Sequence, residues 1–306
     1  MRLLNVAGRL TLEVATERGV DVADASEGRF GPDPQAVFDE WDEFVGWAAS
    51  AGVLNGELNG GLDDVALDPA CLRAPVPRPR QVFALALNYA DHSAEAAREL
   101  PTAPIVFTKF PSCVAGPFED VHVPAGNVDY EVELVVVMGR TADRVPETDA
   151  WQYVAGLCAG QDISERELQF SAAIPQLSLA KSMPGFGPIG PALVTLDDLA
   201  DPDDLALDCL LNGEVMQSSR TSMMIFSVPS IIAQISATCV MLPGDLIFTG
   251  TPAGVGARQN PPRFLRDGDV LVTRVEGIGE LRNTMVGGGR PSQSGEHGQS
   301  GRGNIQ

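Results

Sequence analysis

The sequence predicts an α+β fold that is rich in β-strand, built around a mixed or antiparallel sheet with few helices. Short apolar segments typical of strands recur throughout residues 81–275. Turn sequences separate these segments, including an Asn-Gly pair at positions 212 and 213 that is typical of a β-hairpin. Only two helices stand out in this region, which argues against a doubly wound parallel sheet with its regular alternation of strands and helices.

The amino-terminal segment predicts a small α/β domain over residues 1–74. Residues 9–14 alternate at the period of a strand, and residues 34–51 carry apolar side chains at helical spacing. A connector with the sequence Ala-Pro-Val-Pro-Arg-Pro-Arg follows at residues 74–80, and its alternating prolines interrupt both helix and sheet. We therefore expect the main domain to occupy residues 75–286.

The main domain combines many strand signals with two helical ones. The predicted strands lie at residues 81–87, 105–109, 130–138, 154–160, 192–195, 205–211, 245–249 and 270–275. The predicted helices lie at residues 91–99 and 227–237, and Ser227 is a suitable N-cap for the second. Residues 287–306 consist largely of glycine, serine, glutamine and arginine, so we expect a disordered tail.

The composition argues against several functional classes. Of the 306 residues, 44% are hydrophobic and 20% are charged, as in an ordinary globular protein. The net charge of -20 argues against nucleic-acid binding, which depends on clustered lysine and arginine. No apolar stretch is long enough to span a membrane and the amino terminus lacks a signal sequence, so we expect a cytoplasmic protein without a membrane partner. An anionic substrate would need a local positive charge in so acidic a protein.

The cysteines predict neither a disulfide framework nor a zinc site. There are five of them, widely spaced and without a Cys-x-x-Cys pair. We expect buried thiols in a reducing compartment.

Two glutamates at the start of an apolar strand form the first candidate site. The strand period places Glu131 and Glu133 on the same face of residues 128–138. Two like charges entering the core would be costly without a positive charge between them. So short a pattern is also compatible with two glutamates on a solvated strand edge. Asp162 adds a third carboxylate at the end of a second apolar strand, residues 153–160. Three oxygen ligands without a nearby histidine or thiol suit Mg²⁺, with Mn²⁺ or Ca²⁺ as the next candidates.

Several longer motifs occur in a fixed order between residues 81 and 286. They are Leu87-Asn-Tyr-Ala-Asp-His92, Val106-Phe-Thr-Lys-Phe-Pro111, Val128-Asp-Tyr-Glu-Val-Glu-Leu134, Gln161-Asp-Ile-Ser-Glu-Arg-Glu-Leu-Gln169, Ala180-Lys-Ser182 with Phe186-Gly-Pro188, Thr221-Ser222, Met224-Ile-Phe226 and Pro243-Gly-Asp-Leu-Ile-Phe-Thr-Gly-Thr-Pro-Ala-Gly-Val-Gly256. In this order they resemble the fumarylacetoacetate hydrolase family, in particular its acylpyruvase and 2-hydroxyhepta-2,4-diene-1,7-dioate isomerase branch. The resemblance implies a mixed β-sandwich roll, a catalytic main domain, a homodimer, and a divalent metal bound by Glu131, Glu133 and Asp162.

One of the three histidines lies near the predicted site. His297 is in the tail, and a strand-surface role is expected for His122. Glu95 follows His92 by three residues and would share its helix face, so it could orient the imidazole and raise its basicity. From the residues alone, a helix-capping or surface role for His92 stays open. The resemblance implies that His92 and Glu95 are an acid/base dyad on a lid formed by residues 90–104.

The resemblance also implies a set of residues that contact the substrate. Lys181 matches the lysine of the family and would stabilise a developing enolate. Arg166, Gln169 and Thr251 would bind the substrate, with Lys109 as a weaker candidate that could lie further from the metal. The residues alone leave a surface lysine at 181 and an ordinary turn at Thr251 open.

The predicted function is metal-dependent hydrolysis of a carbon–carbon bond in a 2,4-diketo acid of the acylpyruvate type, with release of pyruvate. His92 with Glu95 would activate water, and the metal with Lys181 would stabilise the departing enolate. Isomerisation of a 2-hydroxy-dienedioate in aromatic catabolism and decarboxylation of oxaloacetate are alternatives that use the same residues. A metal-stabilised binding protein is the non-enzymatic alternative. Departures from the family pattern at residues 183–185, Arg220 and Met223 leave the identity of the substrate undetermined.

Overall fold

The computed structural model describes residues 1–50, 65–95 and 99–287. The strands are β1 (Arg2–Val6), β2 (Arg9–Ala15), β3 (Arg18–Asp21), β4 (Val65–Ala66), β5 (Leu72–Arg73), β6 (Val82–Ala86), β7 (Ile105–Thr108), β8 (Val114–Ala115), β9 (Val121–Val123), β10 (Val128–Asp129), β11 (Val132–Met138), β12 (Val154–Gln161), β13 (Ser164–Glu165), β14 (Gly187–Val194), β15 (Ala206–Leu211), β16 (Glu214–Arg220), β17 (Leu246–Phe248), β18 (Val270–Val275) and β19 (Gly279–Gly287). The α-helices are α1 (Val22–Ala25), α2 (Trp41–Ser50), α3 (Ala90–Glu95), α4 (Arg166–Gln169), α5 (Leu177–Ala180) and α6 (Val228–Ser236). Short 3₁₀ helices lie at Ala36–Glu40, Pro69–Cys71, Pro111–Cys113, Glu147–Tyr153, Leu196–Asp198, Thr221–Met223 and Gly256–Arg258.

The strands form one large sheet and two smaller ones. The large sheet has 12 strands in the order β4-β3-β2-β1-β14-β12-β11-β17-β6-β7, with β5 beside β1 and β8 beside β14. A five-stranded sheet has the order β16-β15-β18-β19-β9, and β10 pairs with β13. Most pairs are antiparallel, but β17 with β6, β14 with β8 and β19 with β9 are parallel. The predicted β-rich α+β fold with a mixed sheet is confirmed.

The central strand β11 is buried along its whole length because both of its faces are covered. Leu134 and Val136 belong to one apolar core, whereas Val135 and Val137 belong to a second core on the other face of the sheet. Strand β12 lies beside β11 in antiparallel register and is also buried throughout. A continuous apolar run is the expected sequence of a strand covered on both faces. These two strands provide the rigid support for the candidate site.

The amino-terminal strands extend the large sheet, because β1 pairs with β14. Beside them, the segment predicted as helix 34–51 begins as a 3₁₀ turn and continues as α2 within the described residues. Its aromatic side chains pack into the second core, with the rings of Phe38 and Trp41 stacked 5.6 Å apart and those of Phe30 and Phe44 edge to face at 5.4 Å. The division of the chain at residue 74 stays a prediction.

Several predicted elements differ from the observed ones in their bounds. The predicted strand 130–138 is observed as β11, which begins two residues later at Val132, and Tyr130 and Glu131 separate it from β10. Helix α6 begins after Ser227, whose hydroxyl accepts a hydrogen bond from the backbone N–H of Ser230 as an N-cap does. The predicted helix 91–99 is observed as α3, and residues 96–98 lie outside the described residues. In the main domain, strands β8, β13, β16 and β19 were not predicted.

Two further expectations concern the surface and the carboxyl terminus. Within the described ranges, no helix is long and apolar enough to cross a membrane. Gly287 is the last residue of β19, and the rest of the predicted disordered tail, residues 288–306, lies outside the described residues.

Candidate active site

Three buried carboxylates meet beside the start of β11 and the end of β12. The side chains are those of Glu131, Glu133 and Asp162, with ligand oxygens that all lie within 4.8 Å of one another. Glu133 pairs in register with Gly160 of β12, and the backbone N–H of Asp162 donates to the carbonyl oxygen of Glu131 over 2.9 Å. Antiparallel pairing of two neighbouring strands therefore brings together carboxylates that are some thirty positions apart in the sequence.

Two of these carboxylates are neutralised by cationic side chains. Glu131 accepts from Arg166 Nη2 and from Lys181 Nζ, both over 2.6 Å. Asp162 accepts from Lys181 Nζ and Lys109 Nζ, also over 2.6 Å. Burial alone would raise the pKa of Glu131, but the charges of Lys181 and Arg166 outweigh it and lower the pKa to about 2. Glu131 is therefore ionised at neutral pH.

The third carboxylate accepts no hydrogen bond from a cationic side chain of the described residues. Glu133 is 0% exposed, and its Oε2 accepts from the backbone N–H of Gly250 over 2.8 Å. Its Oε1 has no hydrogen-bond partner among the described residues. Burial, together with the negative charges of Asp162 and Glu131, raises the pKa of Glu133 well above its usual value. A buried carboxylate oxygen without a partner is costly, and a cation between the three carboxylates would remove that cost.

This donor set fits a divalent metal ion. It consists of carboxylate oxygens alone, and Glu133 Oε1 is free to become a ligand. Such a set suits a hard cation, in agreement with the ligands predicted from the sequence.

Lys109 is placed differently from the expectation. Its side chain is fully buried and donates to Asp162, to the carbonyl oxygen of Phe186 over 3.1 Å and to the carbonyl oxygen of Lys181. It therefore lies directly against a predicted metal ligand rather than further away. All three N–H groups of the ammonium have protein acceptors, so this position supports Asp162 and does not favour the predicted contact with substrate.

A cavity of about 600 Å³ opens beside the carboxylates. Most of the predicted site residues line it, namely His92, Glu131, Arg166, Gln169, Lys181 and Thr251. The rest of the wall is mainly apolar, with Phe107, Leu177 and Val255 among its side chains. Another cavity, of about 780 Å³, lies around Trp151 and Asp203 and contains none of the three carboxylates. The predicted residues thus converge on the smaller cavity, whose composition is that of a small-molecule site.

His92 and Glu95 form the predicted pair on α3. The imidazole Nδ1 lies 3.2 Å from Glu95 Oε2, and Glu95 Oε1 accepts from the backbone N–H of Gly254 over 3.0 Å. An ionised carboxylate can only accept, so Nδ1 carries the proton and Nε2 is the basic nitrogen. The lid predicted at residues 90–104 includes residues 96–98, which lie outside the described residues.

Arg166 and Thr251 are already engaged by other protein groups. Arg166 donates to Asp129 through Nε over 2.9 Å, and through Nη1 to the side-chain oxygen of Gln169 over 2.8 Å. The hydroxyl of Thr251 accepts from Gln217 Nε2 over 2.8 Å. The cavity wall is therefore held in place by a hydrogen-bond network, which favours rigid positioning of a ligand.

Sequence reasoning missed several residues of this network. Asp129 accepts from Arg166 and from the backbone N–H groups of Gly256 and Ala257, over 2.7 and 3.0 Å. Its spacing of two residues from Glu131 could have identified it, because that spacing is the one that relates Glu131 to Glu133. Gly250 has a φ of 95°, and a Cβ at this position would lie 2.7 Å from Asn88 Cβ. Only glycine can therefore present its N–H to Glu133 in this way.

The fold and the site define a β-rich protein with a three-carboxylate centre able to hold a divalent metal beside a small-molecule cavity. The sequence profile described as fumarylacetoacetate (FAA) hydrolase C-terminal matches residues 81–286. A curated relative, the mitochondrial oxaloacetate tautomerase FAHD2A of Bos taurus, is 43% identical over 215 residues, which cover 70% of this chain and 68% of the relative. The chain belongs to the fumarylacetoacetate hydrolase family.

Solved structures agree with this assignment. An HpcE-type protein of Mycobacterium smegmatis is 51% identical, with a TM-score of 0.85 over 94% of this chain and 99% of that one. Maleylpyruvate hydrolase of Sphingobium sp. SYK-6, solved with manganese(II) and pyruvate, is 27% identical, with a TM-score of 0.76 over 94% of this chain and 100% of that one. The family predicted from the motifs is confirmed, while its members include tautomerases, isomerases and hydrolases.

Proposed function

We propose that this chain is a divalent-metal-dependent enzyme that interconverts the keto and enol forms of a 2-keto dicarboxylic acid of the oxaloacetate type. The observation that carries the proposal is the convergence of His92, Lys181 and Glu131 on one cavity, with Glu133 and Asp162 clustered beside Glu131. Similarity to a curated oxaloacetate tautomerase favours this reaction over the other reactions of the family.

The metal would have a single role in this proposal. A divalent cation held by Glu131, Glu133 and Asp162 would polarise the carboxylate and 2-keto oxygens of the substrate and make the neighbouring C–H more acidic.

His92 is the group that moves the carbon-bound proton. Its Nε2 takes the proton from C3 as the C2–C3 double bond forms, which leaves an enolate, and Glu95 stabilises the resulting imidazolium through Nδ1. The 2-oxygen of the enolate then takes a proton from solvent to give the enol, and His92 releases its proton to solvent. In the reverse direction His92 returns the proton to C3. The hydrogen bond from Gly254 to Glu95 holds the carboxylate in position for both directions.

Lys181 acts as a cation and hydrogen-bond donor rather than as a base. Burial by itself would lower the pKa of Lys181, but the charges of Asp162 and Glu131 outweigh it and raise the pKa. Two N–H groups of the ammonium are directed to these carboxylates, which leaves one for the 2-oxygen of the substrate. Lys181 would donate to this oxygen as negative charge develops there.

The test follows the enol absorbance of freshly dissolved oxaloacetate with Mg²⁺ or Mn²⁺ and, separately, with a chelator. A parallel assay for pyruvate separates tautomerisation from decarboxylation. We expect metal-dependent acceleration without pyruvate, and loss of the acceleration in His92→Gln. A rate equal to that of the buffer would refute the proposed reaction, and metal and ligand binding without turnover of any 2-keto acid would favour the non-enzymatic alternative.

Hydrolysis of an acylpyruvate is the second candidate. The same His92 and Glu95 pair could activate a water molecule, and the structurally similar Sphingobium protein is named as a maleylpyruvate hydrolase. Metal-dependent release of pyruvate from acylpyruvates, faster than the tautomerisation of oxaloacetate, would move the assignment to this reaction. Conversion of a 2-hydroxy-dienedioate without pyruvate release would instead indicate the isomerase alternative from aromatic catabolism.

Three further expectations belong to the proposal. Mg²⁺ is the first candidate for the metal, with Mn²⁺ next because the Sphingobium structure contains it. A homodimer is expected and can be measured by sedimentation. The cytoplasmic location also stays a prediction, while the name of the Bos taurus relative places that protein in mitochondria.

A further inference from the structure

Arg258 differs from the other cationic side chains of the cavity. It ends the 3₁₀ turn Gly256–Arg258 and lines the cavity with an exposed side chain. Its guanidinium makes no hydrogen bond or ion pair with any residue in the described part of the chain. It is therefore free to pair with an anion that enters the cavity.

Among the described residues, the wall contains two other permanently charged cations, and both are already neutralised. Lys181 is bonded to two carboxylates, and Arg166 is bonded to Asp129 and Glu131. A substrate carboxylate near the three-carboxylate centre could share these groups, but a second carboxylate further out needs a charge of its own. Phe107 and Leu177, which line the same cavity, are apolar and cannot supply it.

The backbone that carries Arg258 is fixed relative to the candidate metal site. The N–H groups of Gly256 and Ala257 donate to Asp129, which also holds Arg166. The carbonyl oxygen of Gly256 accepts from the N–H of Arg263 over 2.9 Å, and a Cβ on Gly256 would meet the carbonyl oxygen of Arg263 at 1.9 Å. This close approach requires glycine and holds the turn against the segment that contains Arg263.

We propose that Arg258 binds the distal carboxylate of a dicarboxylic substrate and sets a preference for dicarboxylic over monocarboxylic 2-keto acids. The inference rests on the proposed function for the orientation of the substrate, with its 2-keto end at the three carboxylates. Glu99 lines the same cavity and adds negative charge, so an anion there depends all the more on Arg258. A guanidinium suits this role because it can offer two parallel N–H donors to a carboxylate.

The test compares two unreactive ligands that differ in the distal carboxylate alone. Malate and lactate share a 2-hydroxy acid group, and their Kd values are measured by calorimetry in the presence of Mg²⁺. We expect the wild-type protein to bind malate tighter than lactate by on the order of tenfold, the effect of one charge-assisted hydrogen bond. Arg258→Gln should remove most of this ratio without changing the affinity for lactate, and Arg258→Lys should restore part of it.

Arg29→Gln is the matched control, because it removes the same charge from an exposed arginine that does not line the cavity. It should retain the wild-type ratio of Kd values. An unchanged ratio in Arg258→Gln, or no preference for malate in the wild-type protein, would overturn the proposal. Binding is measured without turnover, so the two proposals can fail separately. If Arg258→Gln loses the preference for malate but the wild-type protein does not accelerate oxaloacetate tautomerisation, the subsite is supported and the reaction is refuted. If the wild-type protein accelerates the reaction but Arg258→Gln keeps the preference, the reaction is supported and the subsite is refuted.

Discussion

Replacing Glu133 by glutamine should separate the cost of the buried carboxylate from its use as a metal ligand. In a metal-free protein, Glu133 faces Glu131 and Asp162 with one oxygen that has no partner among the described residues. The glutamine oxygen can still accept from Gly250, and its NH₂ group can donate to the neighbouring carboxylates. We therefore expect Glu133→Gln to be at least as stable as the wild-type protein in a chelator, because a buried like charge is removed.

With Mg²⁺ bound, the wild-type protein should instead be the more stable of the two. At a Mg²⁺ concentration of about 100 times Kd, the wild-type protein should gain about 2.7 kcal/mol in its free energy of unfolding. If loss of this ligand weakens binding about hundredfold, the variant should gain only about 0.4 kcal/mol at the same concentration. Mg²⁺ should therefore reverse the order of stability of the two proteins.

The assay is urea unfolding of both proteins with Mg²⁺ and with a chelator. Glu214→Gln provides the control, because Glu214 is exposed on β16 and lies outside the three-carboxylate site. The control should gain as much from Mg²⁺ as the wild-type protein does. Equal gains in the wild-type protein and in Glu133→Gln would refute Glu133 as a ligand, and strong destabilisation of the variant in the chelator would refute the account of like-charge repulsion.

Three other predictions follow from the same site. His92→Gln should lower kcat by about 10²- to 10⁴-fold, as expected for a lost acid/base group, whereas His122→Gln, at the exposed residue of β9, should not; retained activity in the first variant would exclude His92 as the base. Asp129→Asn should lower the free energy of unfolding by about 3–5 kcal/mol because it breaks a buried ion pair with Arg166, and a loss within the error of urea unfolding would contradict this. The pKa of Glu131 is lowered to about 2, so in a chelator its contribution to stability is present above its usual pKa and is lost as the pH falls towards 2. Glu131→Gln should lack this acid-dependent loss, and identical pH profiles of unfolding would disprove it.

The local pattern of the sequence identified the three carboxylates as candidates, and the resemblance to the family implied their role as metal ligands. Glu131 and Glu133 are two residues apart beside an apolar strand, and Asp162 follows the next apolar strand along the chain. Side-chain alternation is a local property, and consecutive strands are often neighbours in a sheet. The β-rich class could be predicted for the same reason, although two-residue strands such as β8 and β13 carry too few residues for a clear signal.

The charges around the carboxylates could not be assigned in the same way. Lys109 reaches Asp162 across 53 positions of the sequence, and Lys181 reaches Glu131 across 50. Nothing local indicates that Lys109 would use all its donors on protein acceptors, or that Arg258 would line the cavity without a partner among the described residues. Such assignments depend on which strands pair and on how the loops between them cross the sheet.

The sequence by itself determined the strand-rich class, the family and the residue types of the candidate metal site, because periodicity and ordered motifs are written in neighbouring positions. The tertiary structure decided that β1 to β4 extend the same sheet as β11 and β12, and that Asp129 joins Arg166 to the turn of Arg258. These features arise from backbone pairing and buried charge pairing between distant segments. Their free energies depend on burial and distance, which exist only once the chain has folded.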